Sequence, residues 1–237
     1  MKRFIFFTVI ICAAWTVSAQ IDVDLAGISE AENFRLNVRN LNSIKSFEDL
    51  EKHFEGSVLL FDKWTPGTVT MKNGSTEERT MNYYVFDNSL VYLNDDNSTS
   101  MLVMTDAISN VKIGNKLFEK GVYTDDKKTI AESGVMEVVL KGDPMSILKR
   151  YDMELIPGQD GSGYKESTRP AIKTKEKLYY KAADTNLAHP VPSRKKEFYA
   201  IFGDKAKQVE EYAKKNRLKT NDTGIAKMAE YYNSLSK

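Results

Sequence analysis

The chain has 237 residues, with 34 Lys and Arg against 33 Asp and Glu, 41% hydrophobic residues, 28% charged residues and one Cys. That composition is too apolar for a disordered chain and too balanced in sign for a dedicated nucleic-acid binder. It describes a globular protein with a sizeable core and names no activity.

Residues 1–19 read as an export signal. Lys2 and Arg3 form a basic start, residues 4–14 are an apolar run too short for a permanent membrane span, and Val17-Ser18-Ala19 carries small residues where a signal peptidase needs them. The mature chain is expected to start at Gln20, in the periplasm or outside the cell, peripheral at most to the outer membrane and with no transmembrane segment left. Cys12 lies inside the apolar run behind Val9, Ile10 and Ile11, so lipid anchoring there is not expected. Taking Lys2 and Arg3 from the 34 basic residues leaves 32 against 33 acidic ones, a net charge of about −1. Cleavage also removes the one Cys, and with it any disulfide, thiol nucleophile or thiolate metal site.

Residues 20–55 read as a lead-in that ends in a short helix. Ser46-Phe47-Glu48-Asp49 carries a capping Ser with a carboxylate three positions on, and Gly56 can supply the left-handed stop. From 57 to about 155 the pattern changes to short Val, Ile, Tyr, Phe and Met runs punctuated by Gly, Asn and Asp every 8 to 12 residues or so. The expected strands are 58–61, 68–72, 81–86, 90–94, 101–104, 108–113, 116–119, 134–141 and 145–155. Asn73-Gly74, Asp87-Asn88, Asp95-Asp96-Asn97 and Gly142-Asp143-Pro144 supply turns. In the last of these strands Met145, Ile147, Tyr151, Met153 and Leu155 share one face, while Ser146, Arg150, Asp152 and Glu154 share the other.

Residues 157–170 lack periodicity and read as a mobile inserted loop, followed by a strand at 177–182. Beyond Pro190 and Pro192 the period becomes helical. Ser193, Asp204 and Asp222 are expected caps, with Ala206, Val209, Tyr212, Ala213 and Asn216 on one stripe and Ile225, Met228, Ala229, Tyr232 and Leu235 on the next. The expected fold is α+β: an antiparallel β meander over 56–188, as an open twisted sheet, sandwich or partial barrel, followed by C-terminal helices over 189–237 that pack on it.

The chemistry-bearing residues are scattered. His53 and His189 have no second His or Cys at ligand spacing, so no metal site is expected. Gly161-Ser162-Gly163 lies in the inserted loop, a poor support for a nucleophile, and no phosphate-binding glycine motif occurs. Glu77-Glu78, Asp95-Asp96, Asp125-Asp126 and Glu210-Glu211 read as solvated charge, although a glycosidase needs only two carboxylates correctly separated. Trp64 is expected to close one end of the β core. Of Tyr83-Tyr84 and Tyr179-Tyr180, at most one of each pair is expected to face the core, while the other packs beneath the helices or, less often, forms an outward Tyr strip for binding. Arg194-Lys195-Lys196 and the basic residues after them interleave with Glu197, Glu210 and Glu211, as on a salt-bridged surface.

The run Gly56-Ser57-Val58-Leu59-Leu60-Phe61 followed by Trp64, Gly67, Val69, Asn73-Gly74 and Met81-Asn82-Tyr83 resembles a family of exported Bacteroidota proteins of uncharacterised function. Val111-x-Ile113-Gly114 with Phe118, Leu148 with Tyr151, Val209-x-x-Tyr212, Asn216-x-Leu218 and Tyr231-Tyr232-Asn233 extend the resemblance to the C-terminus. It implies an envelope location and carries over no site residue or cofactor. The expected function is a non-enzymatic binding or structural module for a protein, a glycan or an apolar molecule, with no nucleic-acid partner. Alternatives are a metal-independent glycan hydrolase using two dispersed carboxylates, a carrier of a small apolar ligand, and, last, a membrane-spanning barrel.

Overall fold

The computed structural model describes residues 54–125, 131–159 and 167–235. The expected export signal, most of the lead-in with its helix, His53, Asp126 and Gly161-Ser162-Gly163 lie outside the described residues. Ten strands form one sheet: β1 (Thr65–Met71), β2 (Thr76–Tyr84), β3 (Ser89–Leu93), β4 (Thr99–Leu102), β5 (Ile108–Ile113), β6 (Lys116–Tyr123), β7 (Glu132–Leu140), β8 (Met145–Ile156), β9 (Ala171–Ala182) and β10 (Leu187–Pro190). Their order is β10-β9-β8-β7-β6-β5-β1-β2-β3-β4. The fold is α+β, a mainly antiparallel meander followed by helices.

The sheet closes on itself at one end. One edge of β6 serves two neighbours: its first residues pair antiparallel with β5, and Val122 and Tyr123 pair in parallel with Leu187 and Ala188 of β10. Strands β6 to β10 therefore form a five-stranded ring. The even-numbered face of β8 turns into it with Met136, Leu148, Tyr179, Tyr123 and Ala188. So narrow an interior does not hold large side chains at every position. A Cβ at Gly121 would lie 2.5 Å from the Met136 sulfur, so this glycine leaves room for the methionine.

The remaining strands curl back over the outer face of β6 to β8. Phe118, Val135 and Tyr151 from the ring strands meet Val69, Met81, Tyr83, Leu90, Val111 and Ile113 in one buried cluster. Tyr83 stacks on Phe118 at 5.3 Å and meets Tyr151 edge-on at 5.4 Å. The segment before β1 straps the two layers together. Glu55 exchanges backbone hydrogen bonds with Pro170 and Ile172 beside β9, and Val58 and Leu60 bond to Val85 and Tyr83. The strand expected at 58–61 is thus one isolated bridge, Leu59 to Tyr84. Gly56 does take positive φ, +96°, where a Cβ would also strike the Ile172 carbonyl.

Three helices cover the other end of the β8 outer face: α1 (Lys195–Ala200), α2 (Ala206–Lys215) and α3 (Asp222–Leu235). Their apolar stripes, with Phe202 from the turn after α1, bury Phe198, Val209, Ala213, Ile225, Met228 and Ala229 against Met145 and Ile147. The caps differ from expectation. Arg194, not Ser193, is the first cap and makes no side-chain bond, and a 3-10 turn, Gly203–Lys205, takes up Asp204 before α2. At α3 the Asn221 side chain accepts the Gly224 N–H at 3.0 Å, so Asn221 caps and Asp222 begins the helix.

Candidate functional site

The interior of the ring is apolar at its centre and charged at one mouth, because the inward face of β8 changes from Leu148 to Arg150 and Asp152. Arg150 is nine-tenths buried, with 8% of its surface exposed. Its guanidinium lies 4.5 Å from the Tyr123 ring centre and 5.7 Å from that of Tyr179, and its Nη2 donates to Asp152 Oδ2 at 2.7 Å. Two buried donors here, Arg150 Nε and the Tyr179 hydroxyl, have no hydrogen-bond partner among the described residues. A buried donor left unmet costs about 1–3 kcal/mol, so these atoms mark a place where an acceptor fits.

Above them opens a cleft of about 500 Å³, lined by Asp87, Asn88, Tyr123, Asp125, Glu132, Arg150 and Asp152, with Val85, Phe86 and Met153 along one side. Residues from the β2–β3 turn, β6, the segment after it, β7 and β8 converge there. Lys177, the β9 partner of Arg150, donates to Asp125 at 2.7 Å, and the Tyr123 hydroxyl donates to Glu132 at 3.3 Å. Burial pushes the Tyr123 phenol up, with Arg150 pulling the other way. Among the described residues four carboxylates and two cations meet at this mouth. Asp87 is exposed and has no ion pair or hydrogen bond among the described residues.

The sequence-expected candidates are dispersed. Of the four carboxylate pairs, Asp125 alone among the described residues reaches this cleft. Glu77 pairs with Arg79, Glu78 accepts from Thr68 and Asp96 accepts from Ser98. Glu210 is held below the usual carboxylate range by hydrogen bonds from Lys195 and Lys214. His189 meets the Thr124 hydroxyl at 3.4 Å and the Tyr180 ring, and no acid among the described residues joins them. Trp64 packs against the buried Val58, Tyr84, Val91 and Ile172, at one end of the core as expected. Tyr83 and Tyr84 are both buried, in separate clusters on opposite faces of β2, because the curled sheet covers both faces. Tyr179 lies inside the ring and Tyr180 beneath the helices, so neither pair leaves an outward Tyr strip.

A second cleft, about 430 Å³, lies between sheet and helices and is lined by Pro144, Met145, Tyr180, Ile201 and Tyr232 with Asp143 and Asp184. Most of that interface is filled by side chains. Among the described residues no cluster of three His, Cys, Asp or Glu could hold a metal ion, and no helix is long and apolar enough to cross a membrane. Arg150 and Asp152 were assigned to the polar face of their strand by the sequence, but no local signal marks that face as the inside of a ring.

No protein family matches this chain, and neither a curated protein nor a solved structure is similar enough to count as a match. The class defined here is therefore structural: an α+β protein with a closed five-stranded ring and a carboxylate-lined cleft at its mouth.

Proposed function

We propose that this chain is a non-enzymatic binding module of the cell envelope, exported to the periplasm or cell exterior, which takes a polar ligand in the cleft at the ring mouth. The resemblance to exported Bacteroidota proteins and the leader-like residues 1–19 support the location. The single observation that carries the binding reading is Arg150: a guanidinium nine-tenths buried, laid against Tyr123, lining a cleft and leaving Nε without a partner among the described residues. Cations fixed in this way orient polar ligands in small-molecule sites, and about 500 Å³ falls within the size range of such sites.

The apolar-carrier reading is weaker, because the apolar interior is filled by side chains such as Tyr83, Phe118 and Tyr151. The hydrolase reading gains one observation, since four carboxylates do share a cleft. Yet Asp152 and Asp125 each hold a cation, the opposite of the apolar setting that keeps a catalytic acid protonated. A spanning barrel fits poorly with ring strands whose outer faces lie under the other sheet layer and the helices.

Thermal unfolding against a panel of envelope glycans and small polar molecules tests the proposal, with hydrolysis assayed on the same compounds. A binder of the native state raises Tm in proportion to its saturation. The expected result is a saturable rise in Tm, lost in Arg150→Lys, with no turnover. Hydrolysis that disappears on changing one carboxylate or one Ser overturns it.

A further inference from the structure

We infer that the ligand of this cleft is an organic ammonium with an oxygen acceptor close by, the chemistry shared by amino sugars and amino acids. The inference rests on the binding reading above and names the chemistry of its ligand. Floor and rim of the cleft ask for opposite groups. At the floor Arg150 Nε is a donor with no partner among the described residues, and it calls for an oxygen acceptor. At the rim Asp87 offers a carboxylate that no cation of the described residues meets. A ligand carrying both an ammonium and an oxygen satisfies the two ends at once.

Other ligand classes fit less well. A phosphate or other polyanion would meet four carboxylates, with Asp152 already on the guanidinium. A bare divalent cation lacks the three convergent ligands it needs among the described residues. A neutral sugar would satisfy the floor and leave Asp87 without a counter-charge. The Asp87 carboxylate attracts a cation from solution, and salt weakens that attraction.

The test is calorimetric titration of the full chain at neutral pH with D-glucosamine and with L-alanine, which separates a sugar source from an amino-acid source. Glucose and N-acetylglucosamine serve as probes without the ammonium, and ethylamine as a probe without the oxygen. At least one of the first two is expected to bind about tenfold or more tightly than its matched control, the loss that goes with one charge-assisted hydrogen bond. Binding weakens as salt rises. Asp87→Asn, at an exposed side chain with no hydrogen bond or ion pair among the described residues, lowers the affinity by about the same factor and leaves Tm unchanged. If glucose or N-acetylglucosamine binds as tightly as glucosamine and Arg150→Lys abolishes it, the ammonium is refuted and the cleft reading stands. Equal binding of ethylamine refutes the floor acceptor. If none of the probes binds while another polar compound raises Tm through Arg150, the inference again falls alone. If no polar compound binds at all, both fall together.

Discussion

Asn233 and Met145, 88 positions apart, exchange two hydrogen bonds: the Met145 N–H donates to Asn233 Oδ1 at 2.9 Å, and Asn233 Nδ2 donates to the Met145 carbonyl at 2.8 Å. Met145 pairs with Ala182 of β9 on its other edge, so the side-chain amide of a helical residue imitates a neighbouring strand. Asn233 is buried, and its loss leaves two backbone groups of β8 unmet. Asn233→Ala is expected to lower stability by about 2–4 kcal/mol, at about 1–3 kcal/mol per orphaned group with some relaxation. Urea unfolding checks this through the midpoint, with the slope unchanged. A loss below about 0.5 kcal/mol means that water replaces the amide without cost.

Gly142 and Gly121 make a matched comparison. A Cβ at Gly142 would lie 2.1 Å from Asn233 Nδ2 and 2.8 Å from the Met145 carbonyl oxygen, whereas one at Gly121 would meet chiefly the flexible end of Met136. Gly142→Ala is expected to cost about 1–3 kcal/mol, and Gly121→Ala less, because methionine adapts. Thermal melts of the two variants rank them. The reverse order contradicts the role given to the Asn233 clamp.

Alkaline pH acts through the buried phenols. Burial pushes Tyr179 up to about 12 and raises Tyr83, Tyr84 and Tyr151 further, the last helped by its hydrogen bond to Glu137. The folded state holds these protons after the unfolded chain has lost them. The stability they contribute is therefore complete below the ordinary phenol pKa of about 10 and declines as pH rises from there toward the folded values. For Tyr179 that window runs from about 10 to about 12. Absorbance titration of phenolate is expected to show these tyrosines ionising late, together with unfolding. A smooth titration of all 12 tyrosines near 10 contradicts it.

Lys149 ties the start of α3 to the sheet. It is 5% exposed, bonds Glu176 at 3.1 Å and pairs with Asp222. Burial pulls its pKa down, but the hydrogen bonds from Lys149 to Asp222 and Glu176 outweigh that and leave it raised. Asp222→Asn is expected to cost about 0.5–1 kcal/mol at low salt, since Glu176 remains and Asp222 is partly exposed. The cost shrinks as salt rises, which denaturation in 0.05 M and 0.5 M salt reads directly.

What the sequence disclosed divides along local and non-local lines. Strand β5 matches its expected bounds, and the turns at Gly74, Asn88 and Asn97 all have positive φ where Asn and Gly announced it. Strands wet on both faces were missed or shortened. The polar Thr76–Thr80 half of β2 and the Lys173–Glu176 stretch of β9 are exposed and carry no alternation, yet backbone pairing holds them. β10 is four residues ending in Pro190, held between an antiparallel pairing with β9 and a parallel pairing with β6 that no local pattern announces. That pairing also decides the candidate site. The faces of β8 were correctly divided from its alternation, but Arg150 and Asp152 stand inside a ring because strands far away in sequence meet.

The most direct test of the account follows the Nε–Hε resonance of Arg150 by ¹H–¹⁵N NMR, assigned through Arg150→Lys, while a polar ligand from the thermal screen is added. The account predicts that this signal and the amides around Asp87, Tyr123 and Asp152 shift together and saturate, while those of α2 stay in place. Shifts confined to the helices or to β4, with the Arg150 signal unmoved under saturating ligand, contradict it.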